Sequence, residues 1–309
     1  MTDVRPFRFG VVARTADSRD AWIAKARQIE RLGYAVVLVP DHFGEQLAPV
    51  PAMMAAAEAA TALRIGSLVF DVDYRHPAVL QKEIATLDLL TEGRVEWGIG
   101  AGWHRLEYAQ AGIPFDAPGA RLERLAEAVR VIKGLFGPAP LTVGGKHYSI
   151  QGLSGGPPSV QRPHPPLLIG GGGRRILSLA GREADIVGFA PQFIAGEAVA
   201  DSITAEAVAQ GVAWVREAAA ERFANLELNI LLQRIIVTDD RTAAAQELAA
   251  DWGLSADAIL ASPHALLGDL EQIRAQVSER RDRYGISYLA VFERDLEAFA
   301  PVVRQLTGH

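Results

Sequence analysis

Four consecutive glycines, Gly170 to Gly173, follow the apolar stretch Leu167-Leu168-Ile169 and run directly into Arg174 and Arg175. A glycine turn between a strand and a helix lets a ligand approach the backbone closely. The first amides of such a helix are unpaired donors at the positive end of its dipole, so they suit a phosphate, and two arginines add charge. A second cluster, Gly98, Gly100 and Gly102, follows another apolar stretch and precedes Trp103 and His104. Its G-x-G-x-G spacing fails the dinucleotide fingerprint, and no lysine follows either cluster as a Walker loop needs. Glycine at a strand end also clears space for a flat ring. Gly100, Ala101 and Gly102 then form a low floor and Trp103 a wall. Both clusters also have a plainer reading, a tight turn for the first and close helix–sheet packing for the second.

Imidazole titrates near neutrality and suits a site that gives or takes a proton. His42 ends an apolar stretch, next to Asp41, which either orients it, binds a cofactor or caps a helix. His104, after Trp103, is the second proton-transfer candidate, while His76 before Pro77 and His164 in a proline run read as structural. Glu107 and Tyr108 read as anchors of their loop. The seven histidines show no metal-binding spacing, so no metal is expected. There are no cysteines, which excludes disulfides, thiolate metal sites and cysteine nucleophiles. A net charge of −6 without a basic block argues against nucleic acid as a partner. No apolar run reaches a membrane-spanning length of roughly 18 residues and no signal peptide is evident, so a cytoplasmic protein is the expectation.

The elements that position these residues alternate. Apolar runs starting near 7, 35, 64 and 94 predict strands about 29 residues apart, the length of one βα unit. They lack clean polar alternation, as parallel strands buried on both faces do. Helices are expected between them, such as 77–93, with Pro77 in the first turn and Gly93 past the end. Strands resume at 166–172, 185–191, 228–238 and 287–293, the third of them long. Eight strands with intervening helices predict an α/β (β/α)₈ TIM barrel over 1–309 as a single domain. The Gly- and Pro-rich stretch 137–166 is an excursion between strands four and five. An open doubly wound sheet is the alternative.

Several motifs carry a resemblance: "GYAVVLVPDHF" at 33–43, the stretch 65–108 ending "GRVEWGIGAGWHRLEY", "HYSIQG" at 147–152, and "PHPPLLIGGGGRRILSLAGREADIVGF" at 163–189. Together they resemble the bacterial-luciferase-like flavin-dependent oxidoreductases, and most closely the branch using coenzyme F420. The resemblance implies a barrel with the cofactor ring across its mouth and the phosphate on Gly171, Gly172, Gly173, Arg174 and Arg175. It implies a strand-three bulge with a non-proline cis peptide at Ser67-Leu68, ring contacts at Ala101 and Gly102, and Asp41-His42 at the reacting centre. One departure stands out. The branch's sugar-phosphate dehydrogenases carry a Glu where this chain has Trp103, and they hold the sugar phosphate with lysines that have no counterpart among the four here, so glucose 6-phosphate is not an expected substrate. The expected activity is hydride transfer between F420 and a small organic substrate, in a homodimer. The rivals are a monooxygenase using reduced FMN and oxygen, and a non-catalytic flavin-binding protein.

Overall fold

The computed structural model describes residues 5–194 and 197–309. Eight parallel strands form the centre: β1 (Arg8–Val12), β2 (Val36–Val39), β3 (Arg64–Ser67), β4 (Val95–Gly100), β5 (Leu167–Gly171), β6 (Ile186–Phe189), β7 (Glu227–Leu231) and β8 (Ile286–Phe292). Each pairs with its neighbours in chain order, and β1 pairs with β8 through Arg8↔Tyr288 to Val12↔Phe292, which closes the barrel.

The principal helices pack outside: α1 (Arg19–Arg31), α2 (Pro49–Ala59), α3 (Pro77–Leu90), α4 (Pro118–Leu135), α5 (Arg174–Glu183), α6 (Ala205–Ala219), α7 (Leu270–Tyr284) and α8 (Leu296–Leu306). Local chemistry sets their ends. Ser18 caps α1 by accepting from the Ala21 amide, and the Asp269–Gln272 capping box opens α7. Proline occupies the first turn of α2, α3 and α4, where its missing N–H costs nothing.

The strands are buried on both faces, hence their unbroken hydrophobicity. Outward residues such as Phe9, Trp97 and Ile169 join Phe299 in the shell between strands and helices. Inward residues Val12, Val36, Leu38, Leu168, Ile186 and Tyr288 fill the barrel. Its lower end is polar: Arg8 bonds Glu96 at 2.7 Å and Glu227 at 2.7 and 2.8 Å, and Tyr288 donates to Glu96 at 2.7 Å. These groups satisfy one another, which offsets the cost of burying charge there.

The long strand expected over 228–238 is two strands. β7 stops at Leu231, and Arg234–Val237 leaves the barrel to pair with Ala265–Gly268 in a small side sheet. The break lies at the barrel mouth, where the Gln233 amide turns to the His264 carbonyl at 2.8 Å. Between β4 and β5, Leu141–Gly144 and Ser149–Leu153 form an antiparallel pair that packs on α4 through Ile150, Val131 and Leu135.

Candidate active site

A cavity of about 800 Å³ opens at the carboxyl ends of the barrel strands. That is the size and position expected of a ligand site in this architecture.

At one end β5 runs through Gly171 into α5. Gly173 is the N-cap, extended at φ −94° and ψ 154°, and no side chain caps the helix. The first α5 amide with an intrahelical acceptor is Leu177, which bonds the Gly173 carbonyl. The residues that carry the preceding amides, Gly173, Arg174, Arg175 and Ile176, line the cavity. Gly172 is required by packing: a Cβ there would lie 2.6 Å from the Ala190 carbonyl oxygen and 2.8 Å from the Gln192 nitrogen. Gly173 is open, its nearest such neighbour being the Gln192 amide at 3.7 Å. Arg174 reaches Glu217 at 3.4 Å on the surface, while Arg175 has no carboxylate partner among the described residues.

Gly100, Ala101 and Gly102 of the second cluster line the cavity, and Gly98 and Gly100 also make room for another part of the chain. A Cβ on Gly98 would lie 2.4 Å from the Ser67 carbonyl oxygen and 2.7 Å from Val69 Cγ1, and one on Gly100 would lie 2.8 Å from Val69 Cγ2. These glycines admit the segment after β3, and Leu68 and Val69 of that segment line the cavity. Ser67 is 1% exposed and lies outside the cavity lining. Its Oγ donates to the Gly98 carbonyl and accepts from the Gly98 amide, both at 2.9 Å, tying β3 to β4. The cis peptide is Leu68-Val69 rather than Ser67-Leu68, since Ser67 still pairs with Val39 and the chain leaves regular register after it. Gly102, at φ +71°, faces the Tyr108 hydroxyl, which a Cβ would approach to 1.9 Å. Arg121 donates to the Ala101 carbonyl at 2.9 Å and to that of Gly102, fixing this turn.

In the middle stands His42. Its Nδ1 lies 3.0 and 2.9 Å from the two oxygens of Glu107. A carboxylate accepts, so Nδ1 carries the proton and Nε2 is the free nitrogen. Trp103 meets the imidazole edge-on at 5.6 Å and stacks on Phe193 at 4.2 Å. Tyr74 donates to Glu107 at 3.4 Å, and burial raises its pKa, as do the nearby Asp71 and Glu107 carboxylates, so it keeps its proton. His104 caps the helix Arg105–Ala111 by accepting from the Glu107 amide at 3.2 Å.

Asp41 is not the partner of His42. Its carboxylate is taken by the Arg75 guanidinium and by the Asp71 amide at 3.1 Å, and no helix begins at 41. Behind it, the Tyr108 hydroxyl lies 2.7 and 2.8 Å from the two Asp71 carboxyl oxygens and 2.9 Å from Asp73 Oδ2, with one hydrogen to share among them. Burial pushes the Asp71 carboxyl up to about 7.

A family model described as luciferase-like monooxygenase matches residues 6–299. The chain belongs to that family. Within it, the chain is 28% identical over 234 residues to an F420-dependent glucose-6-phosphate dehydrogenase of Beutenbergia cavernae, a match covering 72% of this chain and 66% of that one. It is 31% identical over 136 residues to an FMNH(2)-dependent dimethylsulfone monooxygenase of Pseudomonas putida, covering 44% and 38%. Both matches span less than two thirds of the relative. The coenzyme F420-dependent tetrahydromethanopterin reductase of Methanopyrus kandleri shares the fold, with a TM-score of 0.77, 17% identity, and coverage of 98% and 99%.

The barrel mouth of this family member brings together Asp41, His42, Leu68, Ala101, Gly102, His104 and Gly171 to Arg175, all lining one cavity. An uncapped helix start, an unpaired arginine and a shallow glycine-backed wall fit a ring with a phosphate-bearing chain. The group that sequence reasoning under-read is Glu107. Its spacing to His104 was visible, but nothing in the chain marks it as the partner of His42, 65 positions upstream. Arg75, which takes the Asp41 carboxylate, and Asn229, deep in the cavity, were missed altogether. No cluster that could hold a metal occurs among the described residues.

Proposed function

We propose that this chain is a coenzyme F420-dependent oxidoreductase, moving a hydride between the deazaflavin and a small organic substrate. The observation that carries the reading is the His42–Glu107 pair, an imidazole held at 2.9 Å through one nitrogen by a carboxylate, with both residues lining the cavity. The F420-dependent dehydrogenase match over 72% of the chain supports the choice of cofactor. Bound at the mouth, the deazaflavin supplies a ring carbon that accepts or donates the hydride.

This chain's residues do the rest. Gly171, Gly172, Gly173, Arg174 and Arg175 hold the phosphate, with the α5 amides as donors. Leu68, Val69, Ala101 and Gly102 bear on the ring, and Ser67 fixes the segment that carries Leu68 and Val69. With an alcohol substrate, His42 Nε2 would take the hydroxyl proton that must leave when the alcohol is oxidised to a carbonyl. In the reverse direction the imidazolium returns that proton. Glu107 holds the tautomer and stabilises the charged imidazole, while Trp103 and Phe193 keep water from the reacting atoms. Asp41, neutralised by Arg75, shapes the wall beside His42.

We read the chain as one catalytic domain with 137–166 as its excursion, acting in the cytoplasm as a homodimer. The exposed Val79, Leu89 and Leu90 on α3 support a second copy as partner. No helix among the described residues is long and apolar enough to cross a membrane. The dimethylsulfone monooxygenase match favours a second reading, with reduced FMN and oxygen. Fluorescence titration with F420 and FMN decides between them. F420 binding at least tenfold tighter is expected, and tighter binding of FMN would replace the proposal with the monooxygenase.

A further inference from the structure

Asn229 lies on β7 inside the barrel and lines the cavity, yet it is 1% exposed and its Oδ1 has no hydrogen-bond partner among the described residues. Its Nδ2 donates to the Tyr288 carbonyl at 3.2 Å. That bond orients the amide, because the flipped group would set two carbonyl oxygens against each other. The free group is therefore an acceptor. Leaving such an acceptor buried and unpaired costs a protein about 1–3 kcal/mol, so an Asn among apolar neighbours calls for a partner that arrives from outside.

The neighbouring strands make room for that partner. In register, Asn229 is level with Gly188 on β6, and Gly188 with Gly170 on β5. Both glycines line the cavity and bring no side chain, so the cavity deepens along β5 to β7. A Cβ on Gly188 would lie 3.3 Å from Gly170 Cα, 3.4 Å from Leu168 Cδ2 and 3.5 Å from Asn229 Oδ1, so any side chain there would crowd the oxygen. The deep end lies directly below Gly171 to Gly173, which end β5 and open α5.

We propose that Asn229 Oδ1 accepts the imide N–H at the edge of the bound ring, the N–H between two carbonyls that flavins and deazaflavins share. The proposal rests on the reading that a ring of this class occupies the mouth, and it holds for either cofactor. A buried acceptor with no donor among its neighbours suits an N–H or O–H of the ligand. The hydroxyl at the far end of a deazaflavin is a vinylogous acid; once ionised it has no hydrogen to offer, and Oδ1 would repel it. The imide keeps its proton at neutral pH and suits a dry, deep position. Asn229 thereby sets which edge of the ring enters first.

The test uses the full chain and four probes: F420, FMN and the imide-N-methylated form of each, titrated by fluorescence against wild type and Asn229→Ala. For the ring that wild type binds, methylation should weaken binding tenfold or more, because the methyl removes the donor and fills its space. Asn229→Ala should bind the unmethylated ring about tenfold more weakly and tolerate the methyl within about threefold. Equal affinity of wild type for methylated and unmethylated rings would mean that water serves Oδ1, and would overturn the assignment. So would an Asn229→Ala protein that binds or discriminates as wild type does. If wild type binds neither F420 nor FMN, the ring reading itself falls, an outcome distinct from ring binding that ignores Asn229. Should Asn229→Ala fail to fold, as judged by its melting curve, the methylated probes on wild type still decide.

Discussion

Replacing Gly173 with aspartate separates helix stability from anion binding, because the two respond in opposite directions. Gly173 is the uncapped N-cap of α5, and its φ of −94° is open to any residue. A side chain there meets only the Gln192 amide, whose nearest atom would be 3.7 Å from the new Cβ. Aspartate is among the best N-caps; it gains a few tenths of a kcal/mol over glycine, with roughly 0.3–1 kcal/mol more from the helix dipole. For a chain of this size the melting temperature should rise by about 1–3 °C. The same carboxylate occupies the amides that would hold a phosphate. At about 4 Å, two unit charges repel by about 1 kcal/mol even with water-like screening, so the singly charged phosphodiester of F420 loses about 1 kcal/mol, or roughly fivefold in affinity. Lost donors add to that figure.

The assay is fluorescence titration of F420 against wild type, Gly173→Asp and Gly173→Ala, beside thermal melts. Gly173→Ala adds bulk without charge; it should weaken binding by less than about threefold and should not raise the melting temperature. A ring fragment lacking the phosphate should bind Gly173→Asp as it binds wild type. Gly172 would be a poor choice for this experiment, since its Cβ would press on the backbone of Ala190 and Gln192 and disturb the segment after β6. A Gly173→Asp protein that melts higher and binds F420 like wild type would refute the assignment of the phosphate to the start of α5.

Three further outcomes follow from the geometry. His42→Ala should lower turnover at saturating substrate by about 10²-fold with cofactor affinity nearly unchanged, Glu107→Gln should lower it by about tenfold, and His104→Ala should cost chiefly a helix cap of about 1 kcal/mol; a large rate loss confined to His104 would move the proton carrier there. Because burial raises the Asp71 carboxyl from its usual range to about 7, the folded state holds a proton that the unfolded chain releases near pH 4, so this group's contribution is complete below pH 4 and is lost as pH rises to about 7. Asp71→Asn should therefore remove part of the stability loss expected of wild type between pH 4 and 7, and parallel melting-temperature profiles would count against that ionisation. Gly98→Ala should destabilise by about 1–3 kcal/mol, because its Cβ would meet the Ser67 carbonyl at 2.4 Å; a variant that melts like wild type would show that β3 and its bulge yield easily.

The barrel was legible because its signal is local. Each strand is a short apolar run, each helix has its own start and stop, and a spacing of about 29 residues repeats the unit. The α5 turn was legible for the same reason, since Gly170 to Arg175 carry strand end, turn and helix start in six consecutive positions. What lay across the mouth from a residue was not. Gly98 and Gly100 announced a missing side chain, but whether the space went to a ligand or to Val69 depends on a chain segment some 30 positions earlier. The run 228–238 hid its break because Leu231 and Ile235 are both apolar, and only pairing with Ala265–Gly268 separates them.

The reacting centre was legible in type and misread in partnership. An Asp beside a His in sequence suggested an oriented pair, yet both lie in the loop past the end of β2, where neighbours take separate partners. Asp41 accordingly turns to Arg75, and the carboxylate that meets His42 comes from the helix after the next strand but one. A barrel mouth is a ring of strand ends, so the residues that share its cavity belong to different βα units, and sequence neighbours are often parted by the wall. The same rule accounts for Asn229. It sits in the apolar run "LNILL" with no motif around it. Its unpaired oxygen acquires meaning only beside two glycines from the two preceding strands, 41 and 59 positions earlier by subtraction of their numbers from 229. Chemistry at such a mouth is better sought by register than by spacing, and a polar side chain that faces a glycine across a strand pair is where that search should begin.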